Sequence, residues 1–366
     1  MTPRDSKCVG VLTFHNGPNF GGFLQAWHLV SAIRGFGYEA HAVNYLHPRH
    51  HRKNTMRVAV RNFSTLKGRI FETLKLRGFG NIEQTICRDP FTTDPAQVPW
   101  EDYEALVVGS DIVWDYVHPD FCHDPAYFGM LTELEGKPIV AYAASCGPAD
   151  PDGPFPDYVR DGLRRFGPIG VRDEATARLV RNACGRDDST VVVDPTWLGP
   201  DPDAEWDGMP KGRYLLAYGG RIDDRTGEML RDYCRSRRWQ LVSALTRCRG
   251  ADKRYHSLTP FQWAELFKHA EATAIVGTLH GTLFSIKYGR PFVLVSSPLI
   301  NQKIAGILRR TGQAFRLFEP GALKAEDLRI LDPGQAPAPE LPAAWRDESR
   351  KFLADAVAKM LVPADV

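Results

Sequence analysis

Residues Thr259–Val295 read TPFQWAELFKHAEATAIVGTLHGTLFSIKYGRPFVLV, and the pattern within them decides the fold. An amphipathic run predicts a helix over Pro260–His269, and the apolar run after it predicts a strand over Ala274–Val276. A tight turn then carries Gly277, His280 and Gly281, followed by a helix over Thr282–Tyr288 and a strand over Phe292–Val295. Strands alternating with helices in this way build a parallel sheet. Glycines flanking a histidine let the backbone approach a ligand closely, and a helix start offers free N–H groups and a positive dipole end. His280 is therefore placed where an anionic ligand would lie. A lone histidine after a strand equally well caps a helix or satisfies a core hydrogen bond, and both readings stand at this point.

The same alternation runs through the rest of the chain. In the first half, strands are expected at Val9–Thr13, His41–Tyr45, Ala105–Val108, Ile139–Ala143, Gly167–Val171 and Thr190–Val193. In the second half they are expected at Tyr214–Ala217 and Gln240–Ala244, ahead of the two already named. A chain of 366 residues exceeds what one core supports. We therefore expect an α/β protein of two Rossmann-like, doubly wound domains facing a cleft. The first covers 1–198, a Pro-, Gly- and Asp-rich linker 199–211, and the second 212–331; a Pro-rich linker and a final helix over Ala343–Leu361 occupy 332–366.

Composition narrows the class. The net charge is +2, so no single sign dominates and nucleic acid is not an expected partner. The seven cysteines include no CxxC pair, as in reduced, intracellular proteins. No signal peptide is expected from the charged N-terminus. The longest apolar stretch, Pro291–Ile300, falls well short of the roughly 20 residues of a membrane span. A cytoplasmic protein is the expectation.

The segments Gly10–Tyr38 (GVLTFHNGPNFGGFLQAWHLVSAIRGFGY), Tyr103–Asp115 (YEALVVGSDIVWD), Ile139–Gly147 (IVAYAASCG), Ile169–Thr176 (IGVRDEAT) and Val191–Leu198 (VVVDPTWL), with the His280 block, resemble the polysaccharide pyruvyl transferase family in order and spacing from Val9 to about Leu317. The resemblance implies a GT-B-like fold. It also implies transfer of an enolpyruvyl unit from phosphoenolpyruvate, as co-substrate, onto a sugar, without metal or other cofactor. Protonation of the enol carbon C3 makes C2 electrophilic, a sugar oxygen attacks, and phosphate leaves. An imidazole titrates in the range this general acid needs, and by resemblance His280 is that group.

One departure concerns the donor. Several family members carry an arginine two residues before the histidine, where this chain has Thr278. Thr278, Leu279 and Gly281 are then the local donor contacts, with Arg221, Arg290, Lys303 and Arg172 as cations for a substrate that carries close to three negative charges. Arg172 alternatively pairs with Asp173 or Glu174. In the first domain, the loop Thr13–Gly22 opens a helix containing Gln25, and His15, Asn16, Asn19 and Gln25 are candidate acceptor contacts. Asp111 is a candidate for orienting a sugar hydroxyl or acting as base. Trp114 either stacks on a sugar face or fills the core. Asp194 reads as a hinge or turn device before Pro195, with a catalytic role as the alternative.

Residues 47–77 hold nine Lys or Arg, three His and one acid, Glu72. They are either a solvated helical insertion or a basic face for anionic lipid or a lipid-linked acceptor at the inner membrane surface. The spacing of His118, Cys122 and His123 matches no established metal site, and no metal is expected. Two rivals remain: a nucleotide-sugar glycosyltransferase on the same architecture, and a non-catalytic saccharide-binding member.

Overall fold

The computed structural model describes residues 7–17, 19–60, 79–80, 82–120, 124–204 and 206–361, and for 55–60 and 298–303 the backbone only. These fall into two compact units: 7–60, 82–200 and 343–361 in the first, 79–80 and 201–342 in the second.

The first unit is built on a six-stranded sheet. Its strands are β1 (Cys8–Leu12), β2 (Glu39–Ala42), β3 (Ala105–Val108), β4 (Ile139–Ala144), β5 (Ile169–Val171) and β6 (Thr190–Val191). They lie in the order β2-β1-β3-β4-β5-β6, every pair parallel. β3 and β4 are buried at every position, because helices cover both faces of a parallel sheet. The helices are α1 (Phe20–Arg34), α2 (Pro48–Val60), α3 (Asp157–Arg165) and α4 (Glu174–Cys184).

The second sheet holds β7 (Tyr214–Gly219), β8 (Gln240–Ala244), β9 (Lys253–Tyr255), β10 (Ala272–Val276), β11 (Phe292–Val295) and β12 (Leu317–Phe318), in the parallel order β12-β11-β10-β7-β8-β9. Counted from β7 this is the 3-2-1-4-5-6 winding of Rossmann domains. Its helices are α5 (Asp224–Ser236), α6 (Pro260–His269), α7 (Leu279–Lys287) and α8 (Pro298–Arg310). Each sheet has one point where the winding reverses, between β1 and β3 in the first and between β7 and β10 in the second. Open α/β sheets bind ligands beyond the strand ends at that point. Two Rossmann-like α/β units are thus present.

Two strands escaped the sequence reading. β9 is a charged Lys-Arg-Tyr triplet and β12 is two residues long, so neither carries an apolar run. The last helix, α9 (Ala343–Leu361), returns to the first unit: Trp345 donates to the Val191 carbonyl at 3.0 Å, and the Val193 N–H donates to Ser349 at 3.0 Å. A Cβ added at Gly170 of β5 would lie 2.7 Å from the Phe352 ring, so the glycine is what lets α9 press onto the sheet. Among the described residues, no helix is long and apolar enough to cross a membrane.

Candidate functional site

At the reversal point of the second sheet, β7 ends in Tyr218–Gly219 and β10 in Val276. Gly219 has φ +119°, and a Cβ there would sit 2.1 Å from the Val276 carbonyl oxygen. Only glycine lets the two strand ends close up in this way, and Gly220 N–H seals them by donating to Val276 at 2.8 Å. Arg221 follows, exposed and without an ion pair among the described residues.

The helix after β10 begins three residues earlier than the sequence reading placed it. α7 starts at Leu279, with Thr278 as its N-cap, so His280 is the second helical residue instead of part of a preceding turn. The reason is packing. A Cβ on Gly281 would meet Thr278 Oγ1 at 2.6 Å and Tyr218 Cδ1 at 3.0 Å, so a residue without side chain lets the first turn of α7 lie against the end of β7. Gly281 thus serves helix-to-strand contact. His280 is half-buried and its Nε2 is shielded from solvent; Leu279 is also half-buried. The Lys303 side chain lies outside the described residues.

Capping distinguishes the helix starts. Asp173, Asp223 and Thr259 accept from the first-turn N–H groups of α4, α5 and α6. α7 and α8 have no side-chain cap and no acid in their first turn. Their N–H groups and positive dipole ends remain available to an anion. Around them the sequence reading missed two residues. Tyr218 is half-buried, and burial raises its phenol well above the ordinary value, so it stays a neutral donor. Ser296, at the end of β11, is buried. Neither position belongs to a readable motif; only the strand ends bring them to this edge.

In the first unit the carboxyl edge gathers Asp111, Arg172 and Asp194. Arg172 Nη1 stands 3.8 Å from each carboxylate, and its side chain is only 3% exposed. At that distance the two ion pairs include no hydrogen bond, and among the described residues Nη1 has no acceptor. Among the described residues Arg172 forms no ion pair with Asp173, which caps α4, or with Glu174. The expected donor set therefore divides between the units. Asp194 also accepts from Thr196 N–H at 3.1 Å, closing the 195–197 turn as expected of a turn device. Asp111 is half-buried, has φ +72°, and accepts from Ile112 N–H at 2.8 Å.

Three acceptor candidates are corrected. Trp114 is fully buried, donates to the Tyr127 carbonyl at 2.9 Å and stacks on Phe128, so it has no face for a sugar. Gln25 is fully buried and uses its amide to tie Thr13 (3.0 Å), Gly22 (2.8 Å) and Ser110 (2.5 Å) together. His15 is buried, with one ring nitrogen on the Thr13 carbonyl and the other on Asn44, each at 3.2 Å. His15 and Gln25 build the loop instead of lining it, and Trp114 fills the core, since a side chain's type reads alike whether it points in or out. Asn16 is half-buried and Asn19 exposed. Asn19 caps α1 without a side-chain bond, and α1 has no acid in its first turn.

Of the basic stretch, 61–77 lies outside the described residues. What precedes it packs against the β1 loop: His50 meets Phe14 edge-on at 4.5 Å, Asn54 donates to the Asn16 carbonyl at 3.2 Å, and Lys53 pairs with Asp120 at 2.7 Å. Of the metal triplet considered above, Cys122 and His123 lie outside the described residues, and His118 is 3.1 Å from Lys53. Cys8, Glu39 and His41 come within 4.8 Å of one another at the amino ends of β1 and β2. Arg34, 3.3 Å from His41, and Arg88, 3.6 Å from Cys8 and from Glu39, already supply positive charge there.

Comparison with known proteins bears on what these edges serve. No curated protein sequence matches the chain. Among solved structures, it is similar to the glycosyltransferase SnogD from Streptomyces nogalater (14% identity, TM-score 0.44, 97% of this chain and 96% of that one). It is also similar to UDP-N-acetylglucosamine 2-epimerase from Rickettsia bellii (9%, 0.49, 98% and 96%) and to MurG from Acinetobacter baumannii (12%, 0.41, 98% and 96%). The family model described as polysaccharide pyruvyl transferase matches residues 19–298, from the start of α1 to the start of α8. With both strand-end edges inside that span, the chain belongs to the polysaccharide pyruvyl transferase family.

Proposed function

We propose that this chain moves the enolpyruvyl group of phosphoenolpyruvate onto a sugar hydroxyl of a cell-envelope or exopolysaccharide saccharide, in the cytoplasm. His280, as imidazolium, gives its proton to C3 of the enol. C2 takes on oxocarbenium character, a sugar oxygen bonds to it and loses its proton, and the bond from C2 to the phosphate oxygen breaks. A second hydroxyl adding at the same carbon closes a ketal. In the first unit, Asp111 is the carboxylate suited to orient or deprotonate a hydroxyl, and Arg172 has N–H groups to give to a substrate oxygen. Thr278, Leu279 and Arg221 serve the donor.

The observation that carries this reading is His280 in the first turn of an uncapped helix at the reversal point of a Rossmann-wound sheet. There a histidine shares its surroundings with groups that attract a phosphorylated carboxylic acid. The test is phosphate release from phosphoenolpyruvate in the presence of a panel of saccharides. His280→Ala and His280→Gln should lose at least a hundredfold in kcat. Unchanged turnover in both removes the assignment. A thermal shift with UDP-sugars and none with phosphoenolpyruvate would instead favour nucleotide-sugar transfer.

A further inference from the structure

Across the carboxyl edge of the first sheet, Asp111, Ala144, Arg172 and Val192 stand side by side. Asp111 bridges to Ala144, Arg172 N–H donates to the Ala144 carbonyl at 3.0 Å, and Val192 N–H donates to Val171 at 2.8 Å. Asp194 follows two residues later, so Arg172 lies between the two acids in backbone order.

Each carboxylate is pinned by bonds of its own. Asp194 Oδ1 accepts from Thr196 N–H at 3.1 Å and from Thr196 Oγ1 at 2.8 Å. Asp111 Oδ1 accepts from Ile112 N–H at 2.8 Å, and its backbone is held at φ +72° with the carbonyl bonded to Ser145 N–H at 2.9 Å. A residue with a side chain persists in that conformation only where its surroundings impose it. The Asp194 side chain is 0% exposed and that of Asp111 16%, so Asp111 is the acid a solute can reach. Among the described residues, nothing donates to Asp111 Oδ2.

An arginine and a carboxylate free to approach one another close to about 2.8 Å, often through two parallel bonds. Here the guanidinium rests at 3.8 Å from both acids and makes no side-chain hydrogen bond among the described residues. Two fixed carboxylates at equal distance pull alike, and neither captures the cation. A fold that needed only to neutralise a buried arginine would set one acid in contact with it. A second acid at a distance costs desolvation and leaves a donor unmet. What the arrangement achieves is an Asp111 whose oxygens are not taken by Arg172.

We infer that Asp194 is a positioning residue: its carboxylate holds Arg172 off Asp111, which keeps Asp111 available to a sugar hydroxyl. The hydroxyl rests on the function proposed above, whereas the placing of Arg172 by Asp194 does not.

The test uses the full chain and Asp194→Asn, which retains the Oδ1 acceptor for Thr196, with Asp194→Ser as a second variant. In crystal structures of both, Arg172 should close on Asp111 to within about 3.2 Å. An unchanged separation overturns the inference. In phosphate release from phosphoenolpyruvate with saccharides, each variant should lose roughly tenfold or more in kcat, with KM for phosphoenolpyruvate unchanged. Added to Asp111→Asn, Asp194→Asn should cost nothing further, because the carboxylate it protects is already gone. Losses that multiply in the double variant overturn the inference, as does a lowered melting temperature with kcat intact, the mark of a purely structural acid. The two readings fail separately. Closure of Arg172 on Asp111 in a protein that never consumes phosphoenolpyruvate sinks the function and keeps the positioning role. Turnover that needs His280 and ignores Asp194 does the reverse.

Discussion

His15 and Arg316 mark what burial does to an ionisable side chain. Desolvation pulls His15 below its ordinary value of 6.5, against the bonds to Asn44 and Thr13 that favour the charged form. In the folded state the ring stays neutral where the unfolded chain would protonate it, so its contribution is intact above about pH 6.5 and is lost as pH falls below that. The midpoint of urea unfolding should decline as pH falls below about 6.5, and His15→Gln should flatten that decline; an identical slope in the variant refutes the assignment. Arg316 is fully buried, with no carboxylate partner among the described residues, and desolvation brings it down to about 10. Its guanidinium serves Gln313 Oε1 (2.5 Å) and the carbonyls of Phe292 (3.1 Å), Ile330 (3.1 Å) and Pro337 (2.8 Å). It is the staple between β11 and the Pro-rich segment. Arg316→Met leaves those oxygens without this donor and should cost about 3 kcal/mol in chemical unfolding.

Among the elements, α7 and α8 each contain a glycine, and the two should respond oppositely to alanine. At Gly281 the new methyl meets Thr278, Ile275 and Tyr218 at 2.6–3.0 Å. Gly281→Ala should push α7 from β7 and β10, costing roughly 1–3 kcal/mol and at least tenfold in kcat, since His280 sits one residue before it. At Gly306 nothing lies within 4 Å, and Gly306→Ala should stabilise by about 0.5–1 kcal/mol through helix propensity, with kcat unchanged. Melting curves and initial rates on the pair check both. A loss at Gly306 equal to that at Gly281 would mean that the close contact is not the cause.

At the scale of the molecule, chain order and unit membership part company at the end. α9 follows the second unit in sequence and belongs to the first in space. Val193 N–H depends on Ser349, the Leu198 carbonyl on Arg350 at 3.3 Å, and the face of β5 on Phe352. Deleting 343–366 should therefore destabilise the first unit selectively. Limited proteolysis should cut the truncated protein first within 82–200, while 212–331 stays resistant. Equal protection of both segments would show that α9 is dispensable.

The parallel α/β class, the ends of β3, β8 and β11, and the span of α6 and α9 were legible because each is a local run of one period bounded by turn residues. The position of His280 after β10 was legible for the same reason. The first turn of α7 was not, because glycine at its third position reads as a break until Tyr218 and Ile275 are seen pressing on it. Nor could His15, Gln25 and Trp114 be told from ligand contacts, since a polar or aromatic side chain has the same letter whether it faces inward or outward. Arg172 shows the limit most plainly: its charge was evident from the letters, but its two carboxylate neighbours lie 61 and 22 residues away in sequence. Local free energies choose helix, strand and turn, so the order of letters determined these. Which side of each element is dry, and which buried donors end without an acceptor, depends on contacts between residues far apart in the chain, and only the tertiary structure decided that.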